Sequence, residues 1–210
     1  PSYNYLCPRY NPDDQCGHML AGCGAIAMAQ IMWKWSYPDE SKYNVYDWDK
    51  MPSDLIDGCS TDCPKLISDC GKACKMNYQS IGGFELPVIT GSWATISNIA
   101  KGFADFDYSA RIVDSDDWKK YGTAWADLIR SEIDCGRPVL MYGKHNIIEI
   151  SEKHYFVIDG YSMTDKNLFH VNWGWRGNKN GYYDLEKCGY SNGQKIIIGI
   201  APKYSGKAAY

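Results

Sequence analysis

The chain lacks any apolar run long enough to cross a membrane, since no window approaches 18 consecutive apolar residues. It also lacks an excess of one charge. With 22 Lys and Arg against 25 Asp and Glu, and a net charge of −3, it has no basic bias of the kind a nucleic-acid or anionic-membrane partner requires. Internal repeats and low-complexity tracts are missing too, which excludes solenoid arrays and linker-like segments. Histidine is scarce, with four in 210 residues, so any imidazole chemistry must come from His18, His145, His154 or His170. What is present is ordinary for a folded domain: 45% hydrophobic and 22% charged residues. A chain of this length buries roughly 70% of its extended surface, so it needs no metal or disulfide merely to hold a core.

Cysteine is abundant instead. Nine cysteines, an odd number, are expected in a secreted protein with up to four disulfides and one thiol left over. The opening stretch "PSYNYLCPRY" has no signal-peptide pattern, which fits a mature or trimmed form. The segment "CSTDCPKLISDCGKAC", with Cys59, Cys63, Cys70 and Cys74, has a second reading as a zinc site. Its three-residue gap and half-helical pattern depart from the tighter Cys-x2-Cys knuckle.

The two halves of the chain differ in pattern. From Cys23 to Trp35 the only charge is Lys34, and the stretch is apolar nearly all round, as in a helix buried through a core. Cys63 to Cys74 reads as a shorter helix. Ser92 is placed to cap a helix in "SWATISNIAKGF", and Thr123 one in "TAWADLIRSEI" that stops at Gly136. After Gly136, "RPVLMYG", "HYFVIDGY", "LFHVNWGW", "GYYDL" and "KIIIGIAP" are short runs rich in β-branched and aromatic residues. The pattern predicts an α+β protein of two lobes, 1–112 mainly helical and 113–210 mainly antiparallel β, with a site in the cleft between them.

Cys23 sits between two glycines where the buried helix begins. Unpaired backbone N–H groups and the helix dipole favour negative charge there, and thiolate is the form that attacks carbonyls. The same position also suits a structural cysteine or half of a disulfide. A nucleophilic thiol needs a base. His154 opens the strand "HYFVIDGY" and lies 131 residues after Cys23, while Asn172 lies 149 after. These intervals match those of papain-type peptidases, in which an asparagine orients the imidazole. Trp173 is placed to shield that hydrogen bond from water. His18 and His145 lie in loop-like stretches, and His170 inside a strand.

The blocks "GCGAIAMAQIM", "HYFVIDGY" and "FHVNWGWRGNKNGYYDL" resemble the signature blocks of the streptopain family of bacterial papain-like cysteine peptidases. "YNYLCP", "CPKLISDCGKACKMNY" and "GRPVLMYG" resemble that family as well, so the likeness runs in order through nearly the whole chain. It implies a papain-like fold with a buried central helix in the helical left lobe and an antiparallel β right lobe. It implies Cys23 as nucleophile, His154 as base and acid, Asn172 as orienting residue and Trp173 as lining of the site. In "YQSIGG" it implies a loop, with Ser80, Gly82 and Gly83, that borders the substrate. Lys153 stands where the family commonly has glycine, a place to shape the pocket before the scissile bond. The family's oxyanion-hole glutamine falls upstream of Pro1, and Gln15 is the nearest residue of that type. The resemblance further implies a pro-segment removed on activation, protein or peptide substrates, secretion into an oxidising compartment, a monomer, and no cofactor or metal.

These readings converge on a secreted cysteine endopeptidase, preferring an apolar residue two positions before the cut. Two alternatives stay open on the residues alone: a catalytically silent, disulfide-rich binding homologue, and an acyl-transfer enzyme using the same thiol.

Overall fold

The computed structural model describes residues 3–9, 17–51, 62–78, 92–115, 125–147 and 150–203. The chain divides into two compact units, Pro1–Phe106 and Asp107–Tyr210.

The first unit packs three helices, α1 (Cys23–Trp35), α2 (Asp62–Ala73) and α3 (Ile96–Ala104). α1 begins and ends where the apolar pattern does. It is buried along most of its length through Ala25, Ala27, Met28, Ile31 and Met32, and Ser36 closes it in a left-handed conformation. α3 is capped by Thr95, whose Oγ1 accepts from the Asn98 N–H at 3.2 Å. Ser92, the cap expected from the sequence, is used otherwise: its hydroxyl donates to the Leu20 carbonyl at 2.5 Å. The buried Asp69 of α2 ties down the stretch after α1. Its carboxylate accepts from Asn44 Nδ2 at 2.7 Å, the Tyr46 hydroxyl at 2.9 Å and Lys72 Nζ at 2.7 Å.

Four disulfides are not what the cysteines form. Cys7, Cys23, Cys63, Cys70, Cys74, Cys135 and Cys188 all carry thiols, and Cys16 and Cys59 lie outside the described residues. The physical reason is visible in the first unit's core. Cys70 and Cys74 are fully buried, the former donating to Met32 Sδ at 3.7 Å and the latter to the Gly71 carbonyl at 3.5 Å. They serve as small, polarisable core residues beside Met28 and Met32.

The second unit is a six-stranded antiparallel sheet in the order β1-β6-β2-β3-β4-β5. The strands are β1 (Tyr108–Asp114), β2 (Val139–Ile147), β3 (Ile150–Tyr161), β4 (Leu168–Asn172), β5 (Gly181–Asp184) and β6 (Asn192–Pro202). Five of the six coincide with the runs singled out after Gly136. β1 was not anticipated. Its alternating "YSARIVD" carries exposed or half-exposed residues at most positions, so it reads as a weak edge strand until β6 supplies a partner. Helix α4 (Trp125–Asp134) packs on β2 and β3 and ends at Gly136, which adopts a φ of 70°. Its proposed cap, Thr123, lies outside the described residues. The core of this unit joins Ile129 of α4 to Val139, Met141, Phe156, Ile158, Phe169, Val171, Ile196 and Ile198. Among the described residues, no helix is long and apolar enough to cross a membrane.

Candidate active site

Cys23 is the first residue of α1, half-buried, and α1 has neither a side-chain cap nor an acidic residue in its first turn. The dipole of the helix start therefore favours negative charge at the thiol, with no carboxylate in the first turn to oppose it. Gly22 makes the placement possible. It has a φ of 86°, and a Cβ there would lie 2.6 Å from Met76 Sδ and 3.0 Å from the Ser92 carbonyl oxygen. A chain with any other residue could not bring Cys23 into this turn without moving both neighbours.

His154 lies on β3 directly opposite Gly143 of β2. It is buried, at 7% exposure, in an aromatic enclosure. Its ring centroid stands 6.1 Å from Phe156, 6.1 Å from Trp173, 5.0 Å from Trp175 and 5.2 Å from Tyr190. Burial is the main reason its pKa falls below the ordinary histidine value; the Trp173 carbonyl and the charge of Glu152 act in the opposite sense. The ring's Nε2 is 2.9 Å from the carbonyl oxygen of Trp173. A carbonyl can only accept, so Nε2 carries the hydrogen and the lone pair of the neutral ring is on Nδ1. That is a ring oriented by the backbone and poised to take a proton at one defined atom.

The turn after β4 aims that carbonyl. Asn172 Oδ1 accepts from the Gly174 N–H at 3.0 Å, and Asn180 Oδ1 accepts from the Trp173 N–H at 3.1 Å. The acceptor on His154 Nε2 is thus the Trp173 main chain, while the amide of Asn172 braces the turn that presents it. Trp173 is buried, and its indole lies against that of Trp175 at 5.4 Å and 16°.

The remaining sequence candidates fall elsewhere. Lys153 is exposed, alternates to the face of β3 opposite His154 and pairs across with Lys144. Ser80, Gly82, Gly83 and Gln15 lie outside the described residues. His18 has a structural use, its Nδ1 2.8 Å from the Cys7 carbonyl and its ring 5.6 Å from Tyr5. His170 pairs with Asp159 at 2.5 Å, away from the enclosure. Sequence reasoning missed Phe156, Trp175 and Tyr190 around His154. Phe156 was readable, being two residues from His154 on the same face of one strand. Tyr190 had no such signal, because it arrives through a connection.

The chain is 28% identical to the thiol protease/hemagglutinin PrtT of Porphyromonas gingivalis, over 86% of this chain and 23% of that protein. It is 24% identical to streptopain of Streptococcus pyogenes, over 95% of this chain and 58% of streptopain. The chain therefore spans only part of the length of these relatives. Among solved structures, the active wild-type interpain A cysteine protease of Prevotella intermedia matches with a TM-score of 0.75 and 26% identity, covering 94% of this chain and 88% of that one. A prointerpain A fragment of the same organism shares the fold, with a TM-score of 0.72 and 24% identity over 98% of this chain and 68% of that one. The profile of the Peptidase C10 family matches residues 1–183, and the chain belongs to that family.

Proposed function

We propose that this chain is a secreted bacterial cysteine endopeptidase, with Cys23 as nucleophile and His154 as the group that moves the proton. The observation that carries the reading is the His154 ring: its Nε2 hydrogen is held by the Trp173 carbonyl, which leaves Nδ1 to exchange a proton with a thiol. Cys23 thiolate attacks the peptide carbonyl carbon, and the carbonyl electrons move to oxygen. The N–H of Cys23, at the helix start, donates to that oxyanion. Collapse of the adduct expels the amine, which takes the proton from His154 Nδ1, and leaves an acyl-enzyme. Nδ1 then accepts a proton from water as the hydroxyl attacks the thioester, and the carboxylic acid departs with Cys23 regenerated.

Family membership and the relatives' names support protein substrates, and the prointerpain match supports a pro-segment before activation. An apolar preference two residues before the cut belongs to the same proposal, with Ser80, Gly82 and Gly83 bordering that position. Casein hydrolysis with and without an epoxide that alkylates thiols tests the activity. Hydrolysis that the epoxide stops, and that His154→Ala lacks, is expected. Hydrolysis insensitive to the epoxide would remove the thiol from the mechanism. A peptide panel varied at the second residue before the cut tests the preference, and equal cleavage of charged and apolar members would refute it.

A further inference from the structure

The connection from β5 to β6 reaches the His154 enclosure through one residue, Tyr190. Its side chain is buried, and its ring centroid lies 5.2 Å from His154, 5.7 Å from Trp173 and 6.3 Å from Phe156. Three features of the chain hold it there.

The first is Gln194, which is 6% exposed on a strand whose next inward residues are Ile196 and Ile198. A buried amide is costly in such a setting unless its hydrogen bonds are made. Nε2 donates to the Leu185 carbonyl at 2.8 Å and to the Tyr190 carbonyl at 3.4 Å, so one amide grips the connection at both ends. Two carbonyl acceptors also fix which end of the amide is the nitrogen.

The second is the strand register. β2 pairs with β6 through Tyr142↔Lys195 and Lys144↔Asn192, so Gly143 faces one residue too many on β6. This bulge, with Gly193 at a φ of 55°, turns Gln194 under the connection. The third is Gly143 itself, the cross-strand partner of His154. A Cβ there would collide with the Tyr190 carbonyl oxygen and lie 2.9 Å from its carbonyl carbon. The bare backbone lets Tyr190 settle onto β2 beside the base.

We propose that Gln194 is a positioning residue for His154: its two carbonyl hydrogen bonds clamp the 185–191 connection onto Gly143, so that Tyr190 closes one wall around the imidazole. The proposal rests on the reading of His154 as the proton-transferring group. Burial is the leading cause of the depressed His154 pKa, and Tyr190 supplies part of that burial. Titratable or charged groups at this end of the sheet include Glu152 on β3, His145 edge-on to Tyr190 at 5.7 Å, Lys144 beside Gly193, the buried Cys188 of the connection, and Lys179, 5.8 Å over the Trp175 ring.

The test compares Gln194→Met, Gly143→Ala, Tyr190→Leu and the double variant Gln194→Met/Tyr190→Leu. kcat and KM are measured per folded molecule, and the His154 ring is titrated by NMR in a Cys23→Ala background. Each single variant is expected to lower kcat about tenfold with KM nearly unchanged. The His154 titration should move up toward the ordinary value, and the double variant should be no worse than Tyr190→Leu alone. If Gln194→Met lowers only Tm, with kcat and the titration unmoved, the clamp is merely structural and the proposal falls. Additive losses in the double variant would overturn it as well. Should Gly143→Ala fail to fold, the Gln194 and Tyr190 variants decide alone. Absence of hydrolysis by the unaltered protein would count against the peptidase reading, whereas an unmoved ring titration would count against the clamp.

Discussion

In the helical unit the proposed nucleophile, Cys23, stands at the end of an element, and in the sheet unit the proposed base, His154, stands in the middle of one. Cys23 owes its surroundings to backbone: a positive-φ glycine before it and the dipole of a helix start beneath it. His154 owes its surroundings to side chains, four aromatic rings and one carbonyl brought together from β3, the turn after β4 and the β5–β6 connection. A nucleophile built on backbone is encoded within a few consecutive residues. A base built on packing draws on residues from 154 to 190.

The sharpest way to break the comparison is to delete each reactive group. Cys23→Ala and His154→Ala are both expected to lower kcat/KM by at least about 10⁴-fold while the far-UV circular dichroism stays that of the parent. An active Cys23→Ala variant would end the nucleophile assignment. His18→Ala and His145→Ala should retain most activity, since neither ring belongs to the proposed proton path.

Thiol chemistry sharpens the contrast within the helical unit. Burial pushes the thiol of Cys7 up to about 11 and that of Cys74 up to about 12, and raises Cys70 and Cys188 as well. Thiols of that kind hold almost no thiolate at neutral pH. Iodoacetamide near pH 6 should therefore label Cys23 first in the native protein, and His154→Ala should slow that labelling. Cys7, Cys70, Cys74 and Cys188 should be labelled only after unfolding. Fast native labelling of a buried core thiol would contradict the packing described for it.

Gly22→Ala tests the backbone side of the comparison. The substitution combines a φ of 86° with a close contact to Met76 Sδ, and strain of this kind costs about 1–3 kcal/mol. For a chain of this size that corresponds to a fall in Tm of roughly 2–12 °C, accompanied by lost activity as the Cys23 turn shifts. Activity equal to the parent would mean that the turn does not set the nucleophile's position.

Much of this was legible in the sequence because it is local. α1 could be bounded at both ends from its apolar run, and five strands could be located from their β-branched and aromatic runs. Cys23 and His154 were singled out because a glycine-flanked helix start leaves a short signature and the spacing joins the two, although His154 stands inside β3 rather than at its opening. What could not be read is what depends on distant partners. β1 needs β6 before "YSARIVD" makes sense. The thiols of Cys70 and Cys74 depend on core neighbours such as Met32 rather than on a count of cysteines. Gln194 looks like any polar strand residue until the bulge turns it inward.

Asn172→Ala probes the turn that presents the Trp173 carbonyl. Because Asn172 Oδ1 braces Gly174 and Asn180 separately holds the Trp173 N–H, the loss should be partial, on the order of tenfold in kcat. Asn180→Ala should resemble it. A complete loss with Asn172→Ala alone would mean that its side chain acts on the ring itself.

The smallest expected effect concerns pH and stability. His154 has a folded-state pKa below the unfolded value of 6.5, chiefly through burial. The folded ring therefore resists protonation while the unfolded ring accepts it. The unfolded chain binds more protons below 6.5, so the contribution of neutral, buried His154 is fully present above that pH and is lost as pH falls through the folded value. Glu132 is depressed from 4.5, so its own loss sets in at lower pH and stays separate. Unfolding by urea should be measured in the Cys23→Ala background, where no thiolate can draw the ring toward its charged form. There, His154→Phe should flatten the stability curve just below pH 6.5 and leave the slope below pH 4.5 as it was. If the two variants ran parallel across that interval, the ring would not be held neutral by its aromatic walls. The contrast between a backbone-set nucleophile and a packing-set base would then lose its second half.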